Sequence, residues 1–242
     1  MMEQVLITGA SSGIGEQLAI DYAEQGCQVY ACGQSQQRLA SLSERGSNIH
    51  PVRFDVTNID DVTQALASLP QVPKLIILNA GTCEYIEHGE IDVALFKRVF
   101  DVNLYGLLNC IQALQHSFDA DTQLVIIGST ASYIPLPRAE AYGASKAAVA
   151  YIANTLAIDL AKKGVKVTLV SPGFVKTPLT DKNDFAMPML VTTQYASAAI
   201  RKGIAAGKAE IHFPLKFSLF LKTIALLPTR FQLAVVKRMT GK

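Results

Sequence analysis

Charge is what this chain has least of. Only 17% of its 242 residues are Asp, Glu, Lys or Arg, against about 25% in an ordinary soluble domain. Half of the chain is apolar. Intrinsic disorder needs the opposite composition and is excluded. Glycine (16) and proline (10) are too ordinary for a collagen-like or low-complexity chain. The four cysteines, Cys27, Cys32, Cys83 and Cys110, form no C-x-x-C pair. They suggest neither a disulfide framework nor a zinc site, and buried or half-buried free thiols are expected. His50, His88, His116 and His212 are scattered, so side chains alone give no expected metal site. There is no run of about 18 uncharged apolar residues, which argues against a simple transmembrane span. Met-Met-Glu-Gln at the start carries no signal-peptide pattern, so a cytoplasmic location is the expectation. No basic stripe interleaved with aromatics points to nucleic acid.

What the chain does have is alternation. Apolar, β-rich runs occur at Gln4–Thr8, Gln28–Cys32, His50–Asp55, Lys74–Leu78, Gln123–Ile127 and Lys166–Val170, with a weaker one at Glu210–Phe213. Several are nearly continuous in Val, Ile and Leu, the mark of strands buried on both faces of a parallel sheet. Between them lie helical stretches at Gly15–Gln25, Gln36–Arg45, Ile59–Ser68, Ile91–Ser117, Ala141–Lys163 and Tyr195–Ala206. The pattern predicts an α/β, Rossmann-type doubly wound sheet of about seven mainly parallel strands with helices on both faces. No linker or repeat interrupts it before about residue 210, so residues 1–210 are expected to form one domain holding the catalytic site.

After the first strand comes Thr8-Gly9-Ala10-Ser11-Ser12-Gly13-Ile14-Gly15, and then a helix. Glycines there let the backbone approach a pyrophosphate, and the helix N-terminus offers free N–H groups. Its G-x-x-x-G-x-G spacing differs from the commoner G-x-G-x-x-G, but the strand-loop-helix context is that of a dinucleotide site. The second strand ends in Cys32-Gly33-Gln34-Ser35 with no carboxylate to repel a phosphate, and Arg38 lies one turn further on. That mildly favours NADP over NAD.

Tyr142-Gly143-Ala144-Ser145-Lys146 sets a phenol and an ammonium four residues apart, on one helix face. A nearby Lys⁺ is expected to lower the phenol pKa from its usual value near 10. The pair is a plausible proton donor and acceptor for carbonyl–alcohol interconversion. Ser129 follows the fifth strand, at the carboxyl edge where open α/β sheets bind ligands. It precedes Tyr142 by 13 residues, enough for a loop to bring both hydroxyls to one oxygen.

With these motifs in this order, the chain resembles the short-chain dehydrogenase/reductase family over roughly Gln4 to Thr177. The resemblance implies a cofactor site of Gly9, Ser11, Ser12, Gly13, Ile14 and Gly15 in the loop, and the charge pattern at the end of the second strand places Gln34 and Arg38 at the ribose. It adds Asp55, which would bond the adenine ring, and Val56. The family's N-N-A-G appears as Leu78-Asn79-Ala80-Gly81, without its first Asn. Asn79, Ala80 and Gly81 are carried over, as are Pro172, Gly173, Val175 and Thr177 of the loop flanking the nicotinamide. The implied catalytic set is Asn103, Ser129, Tyr142 and Lys146. Hydride would pass from the nicotinamide to a substrate carbonyl, with Tyr142 as proton donor. Ser129 would hold the carbonyl oxygen, Lys146 would tune Tyr142 and bond the ribose, and Asn103 would position a proton-relaying water. Tyr142 and Lys146 thus serve catalysis and cofactor binding together. Assembly into a homodimer or homotetramer through the two long helices is also implied.

Tyr133, Ile134, Leu136, Phe185, Met187 and Met189, with Tyr85 and Ile86, are expected to make an apolar pocket for a small to medium carbonyl or alcohol substrate. Arg138 could pair an anion there. Beyond residue 210 the composition changes. Residues 211–242 contain Lys216, Lys222, Arg230, Lys237, Arg238 and Lys242 and no acid. That leaves sixteen basic against twenty acidic residues in 1–210, a formal charge of −4. Pro214 and Pro228 bracket a helical piece, and Pro228 is expected to open a second. This basic, apolar extension is expected to pack on the domain, on a partner subunit or peripherally on a membrane surface. Two alternative readings of the whole chain are a non-catalytic NADP-binding regulatory or scaffold protein, and a membrane-associated lipid or sterol ketoreductase.

Overall fold

Continuous Val, Ile and Leu runs cannot leave either face in water. The structure, a computed structural model that describes residues 4–241, accordingly lays them side by side in a covered sheet. Its strands are β1 (Gln4–Thr8), β2 (Gln28–Gly33), β3 (Ile49–Arg53), β4 (Leu75–Leu78), β5 (Gln123–Ile127), β6 (Lys166–Pro172) and β7 (Glu210–Phe213). All are parallel, in the order β3-β2-β1-β4-β5-β6-β7. Val5 stands opposite Val29 on one side and Leu75 on the other. The connections reverse direction at β1/β4, and in such sheets the ligand crevice opens there, beyond the strands' carboxyl ends.

Side-chain alternation divides the core. Val5 and Ile7 face one side, under Leu18 and Ala19 of α1 (Gly13–Glu24), Leu39 of α2 (Gln36–Ser43) and Ile200 of α7 (Thr193–Ala205). Leu6, Ile76 and Leu124 face the other. Covering them are Val62 and Leu66 of α3 (Ile59–Ala67), Leu107 and Ile111 of α5 (Gly106–Leu114), and Val149 of α6 (Glu140–Asp159). The doubly wound architecture is thus the one the alternating runs predict.

One element departs from expectation. The single helix read over Ile91–Ser117 is divided into α4 (Val93–Phe100), a π-helical turn at Asp101–Tyr105, and α5, ending in a 3₁₀ turn at Gln115–Ser117. Apolar spacing is nearly the same on either side of a π turn, so periodicity alone cannot place one. The C-terminal extension forms α8 (Leu215–Ala225) and α9 (Thr229–Thr240), each directly after the proline expected to open it. Phe217, Leu221 and Ile224 of α8 pack with Val236 of α9 on Ile134, Tyr133, Leu136 and Phe174. Polar groups secure the contact: Lys222 pairs with Glu210 (2.5 Å), the Tyr133 hydroxyl donates to Glu210 (3.1 Å), and Ser218 bonds His212 (2.7 Å). Among the described residues no helix is long and apolar enough to cross a membrane.

Candidate active site

The loop after β1 is shaped by backbone approach. Gly9 has φ +66°, and a Cβ there would lie 2.8 Å from the Ala80 Cα. Gly13 has φ +63° and opens α1. Ser35, Asn58, Asp92 and Thr192 cap their helices with side-chain bonds, but Ser12 does not cap α1. The first-turn N–H groups of α1 therefore remain available for an anion. Thr8 and Asn79 join β1 to β4. The Thr8 hydroxyl accepts from the Asn79 and Ala80 amides (2.9 and 3.1 Å), and the Asn79 side chain donates to the Thr8 carbonyl (3.0 Å). Leu78, where the family pattern has its first Asn, is buried in the core.

This loop forms one end of a cleft of about 310 Å³. Gly9, Ser11, Ser12, Gly13, Ile14, Gln34, Asp55 and Val56 line one half. Asn79, Ala80, Gly81, Ser129, Tyr142, Lys146, Pro172, Gly173, Val175 and Thr177 line the other. Gln34 donates to the Asp55 carboxylate (2.7 Å), whose second oxygen accepts from the Thr57 amide and hydroxyl (2.9 and 2.8 Å). Three expected residues lie outside the lining. Gly15 sits inside the helix start, where a Cβ would press on the Gly9 carbonyl. Arg38 is exposed on α2, its backbone N–H donating to the Ser35 hydroxyl (3.4 Å). Asn103 is buried in the π turn.

The groups with proton chemistry meet at the carboxyl ends of β4, β5 and β6. Lys146 is 4% exposed, and its amine donates to the Ile127 carbonyl (2.9 Å). Burial brings its pKa down to about 8. Burial also pushes the Tyr142 phenol up to about 12, with a smaller contribution from Cys83, while the Ser129 hydroxyl pulls it down. The expected lowering of Tyr142 by Lys146 is not what this chain alone provides. The amine lies 6.0 Å from the Tyr142 ring centroid, and burial sets the direction of the shift. The Ser129 hydroxyl accepts from the Ala131 amide (3.1 Å).

Both N–H groups of the Asn103 amide are spent, on the Thr82 carbonyl (2.9 Å) and the Ser145 hydroxyl (3.0 Å), while its oxygen accepts from the Thr82 amide (2.7 Å). Ser145 in turn donates to the Tyr142 carbonyl (2.7 Å). Asn103 therefore braces the β4 loop against the first turn of α6, rather than presenting free N–H donors to the cleft.

On the substrate side, Tyr85 and Phe185 meet edge to face (5.4 Å between centroids), and Phe185 also meets Phe174 (6.1 Å). Arg138 lies over the Tyr85 ring (5.5 Å) and pairs with Asp184 (2.6 Å) and with Glu87. Its charge is thus already matched by two loops. Four expected wall residues face elsewhere. Ile86 is buried with Leu95, Val99 and Ala141, and Ile134 turns toward α8 with Tyr133 and Leu136. Sequence reasoning missed Thr180, whose hydroxyl accepts from the Thr177 amide (2.9 Å) and donates to the Val175 carbonyl (2.7 Å), closing the loop at the cleft. A Thr three residues after Thr177 was the available signal, since short hydroxyl side chains commonly close local turns.

Comparison with known proteins agrees with this geometry. The model of the short chain dehydrogenase family matches residues 3–187. An uncharacterized oxidoreductase of Myxococcus xanthus is 32% identical over 243 residues, covering 97% of this chain and 96% of its own. The NADPH-dependent 1-acyldihydroxyacetone phosphate reductase of Schizosaccharomyces pombe is 35% identical over 184 residues, covering 74% of this chain and 62% of that protein. A solved structure, the closed form of a serine dehydrogenase complexed with NADP⁺, is similar with TM-score 0.76 at 28% identity, covering 87% of this chain and 94% of that one.

Proposed function

The chain belongs to the short-chain dehydrogenase family of oxidoreductases, and on that premise we propose that it interconverts a carbonyl and an alcohol with NADP(H). One observation carries the reading: Ser129, Tyr142 and Lys146 share a cleft with an uncapped helix N-terminus. Gly9 to Ile14 would hold the pyrophosphate, Gln34 and Asp55 the adenosine end, and Pro172 to Thr177 the nicotinamide end. When bound, the cofactor supplies or accepts the hydride.

The chain's own residues manage the oxygen and its proton. At neutral pH the Tyr142 phenol is fully protonated, as a pKa near 12 requires, and it donates to the carbonyl oxygen during reduction. Ser129 holds the same oxygen, Lys146 orients the ribose, and Asn103 acts as a positioning residue through Ser145. The lack of a carboxylate at Gln34-Ser35 and the NADP-using relatives support NADP over NAD. Assembly through α4, α5 and α6 fits the exposure of Tyr105, Tyr151 and Ile158. A second reading, favoured by exposed apolar residues on α8 and α9, gives the enzyme a lipophilic, membrane-borne carbonyl substrate.

The test is Tyr142→Phe. It is expected to retain the rise in Tm that NADP gives the native protein, because a ligand stabilises by RT ln(1 + [L]/Kd). Turnover of an apolar ketone with NADPH should fall by about 100-fold or more. Undiminished turnover contradicts the catalytic assignment. A larger Tm rise with NAD than with NADP at equal concentration contradicts the cofactor preference.

A further inference from the structure

Eight of the sixteen strongly exposed large apolar side chains among the described residues fall within residues 215–239. Helical geometry puts them on a face. In α8, Phe217, Leu221 and Ile224 point to the core, while Leu215, Leu219, Phe220 and the following Leu226 point away. Helix α9 presents Phe231 and Leu233, and Val236 is its one buried residue. Around this face Lys216, Arg230, Lys237 and Arg238 are exposed, and among the described residues none of them pairs with a carboxylate. Residues 211–242 contain no acid at all.

A second copy of the chain is a poor occupant, since a two-fold contact through this face would set like charges against each other. An acid-free helix pair with large aliphatic and aromatic groups beside Lys and Arg suits an interface that is apolar beneath and anionic on top. From this complementarity we propose that the outer face of α8 and α9 docks on the surface of a bilayer containing anionic lipid. The inner face of α8 packs on Ile134 and Phe174, which belong to the segments following Ser129 and Gly173. Docking would therefore hold the substrate side of the cleft near the lipid surface. The proposal stands apart from the reductase reading, because binding is read without turnover.

The experiment is co-sedimentation of the full chain with phosphatidylcholine vesicles, with and without phosphatidylglycerol. The expected result is pelleting with anionic vesicles at low salt. It should fall by about tenfold or more on neutral vesicles and at about 1 M salt, where the Debye length is only about 3 Å. The double variant Leu226→Glu/Phe231→Glu should lose pelleting to a similar extent while keeping Tm and turnover. If that variant folds poorly, Lys237→Gln/Arg238→Gln, which retains the apolar face, should weaken pelleting several-fold. A wild-type chain that stays in the supernatant with anionic vesicles at low salt overturns the proposal. So does equal pelleting of all variants. A dimer in light scattering that the double variant dissociates, without vesicle binding, assigns the face to a second copy instead.

Discussion

Lys146 holds its ammonium against one acceptor, the Ile127 carbonyl, and is otherwise cut off from water. Its pKa near 8 lies below the ordinary lysine value near 10.4. Below about pH 8 both folded and unfolded chains carry the proton, and the fold bears the whole cost of burying the charge. Between about 8 and 10.4 the unfolded chain binds a proton that the folded chain releases, so this residue's contribution to stability rises with pH. The thiols of Cys32, Cys83 and Cys110, pushed up mainly by burial, act oppositely. They remain protonated in the fold where the unfolded chain ionises, and stability drains away as pH climbs past about 8.5. Lys146→Met separates the two effects. The variant should gain stability over wild type at pH 7 relative to the same comparison at pH 10, by on the order of 3 kcal/mol. Thermal unfolding of the cofactor-free protein at both pH values measures this, and a pH-independent difference refutes it. The Tyr142 and Lys146 positions were legible from their spacing, but the net direction of the Tyr142 shift, set by burial, was not. A sequence gives the number of residues between two groups and says nothing of the water excluded around them.

At the scale of elements, local chemistry was easiest to read where one residue type does one job. Continuous Val and Ile runs gave the strands, and Pro214 and Pro228 gave the starts of α8 and α9. The π turn at Asp101–Tyr105 was hidden, because what it accomplishes is tertiary. It presents Asn103 to Thr82 and Ser145, residues distant in sequence. Arg138 illustrates the same limit. Its charge suggested an anion in the pocket, yet Glu87 and Asp184 arrive from two other loops to meet it. Arg138 adopts φ +66°, a backbone conformation unusual for a residue with a side chain. Held there, it fastens the segment carrying Phe185 to the segment carrying Tyr85. Asp184 and Glu87 are largely exposed, so each pair alone is weak, and the aromatic contacts share the work. Arg138→Ala should therefore loosen the substrate side, raising KM for an apolar ketone several-fold with kcat and the NADP-induced Tm rise little changed. Glu87→Gln alone should have less than about a twofold effect on KM. Steady-state kinetics test both, and a loss confined to kcat would place Arg138 at the chemistry instead.

Across the whole molecule, the scarcity of charge has two sources. Seven strands covered on both faces consume apolar residues without leaving room for ions, and the C-terminal helices add apolar surface that the domain only half covers. The near-neutral total combines an acidic body with a basic extension, a division visible in the sequence. Which face of the extension packs on the body was not visible, since Leu219 and Leu221 look alike until Ile134 and Phe174 are placed beneath one of them. The two helices should accordingly differ in what their removal does. A chain ending at Leu227 loses one buried side chain, Val236, worth about 2 kcal/mol, which lowers Tm by roughly 4–8 °C in a protein of this size. Activity on a water-soluble carbonyl substrate should persist. A chain ending at Phe213 also loses Phe217, Leu221 and Ile224 and bares Ile134 beside the catalytic loop. Three such side chains are worth roughly 5–9 kcal/mol, comparable with the entire stability of an ordinary domain, about 5–15 kcal/mol. That chain should fail to give a cooperative transition in scanning calorimetry. If it melts as the full chain does, α8 is an appendage rather than part of the fold, and the link from the outer face to the active site is broken.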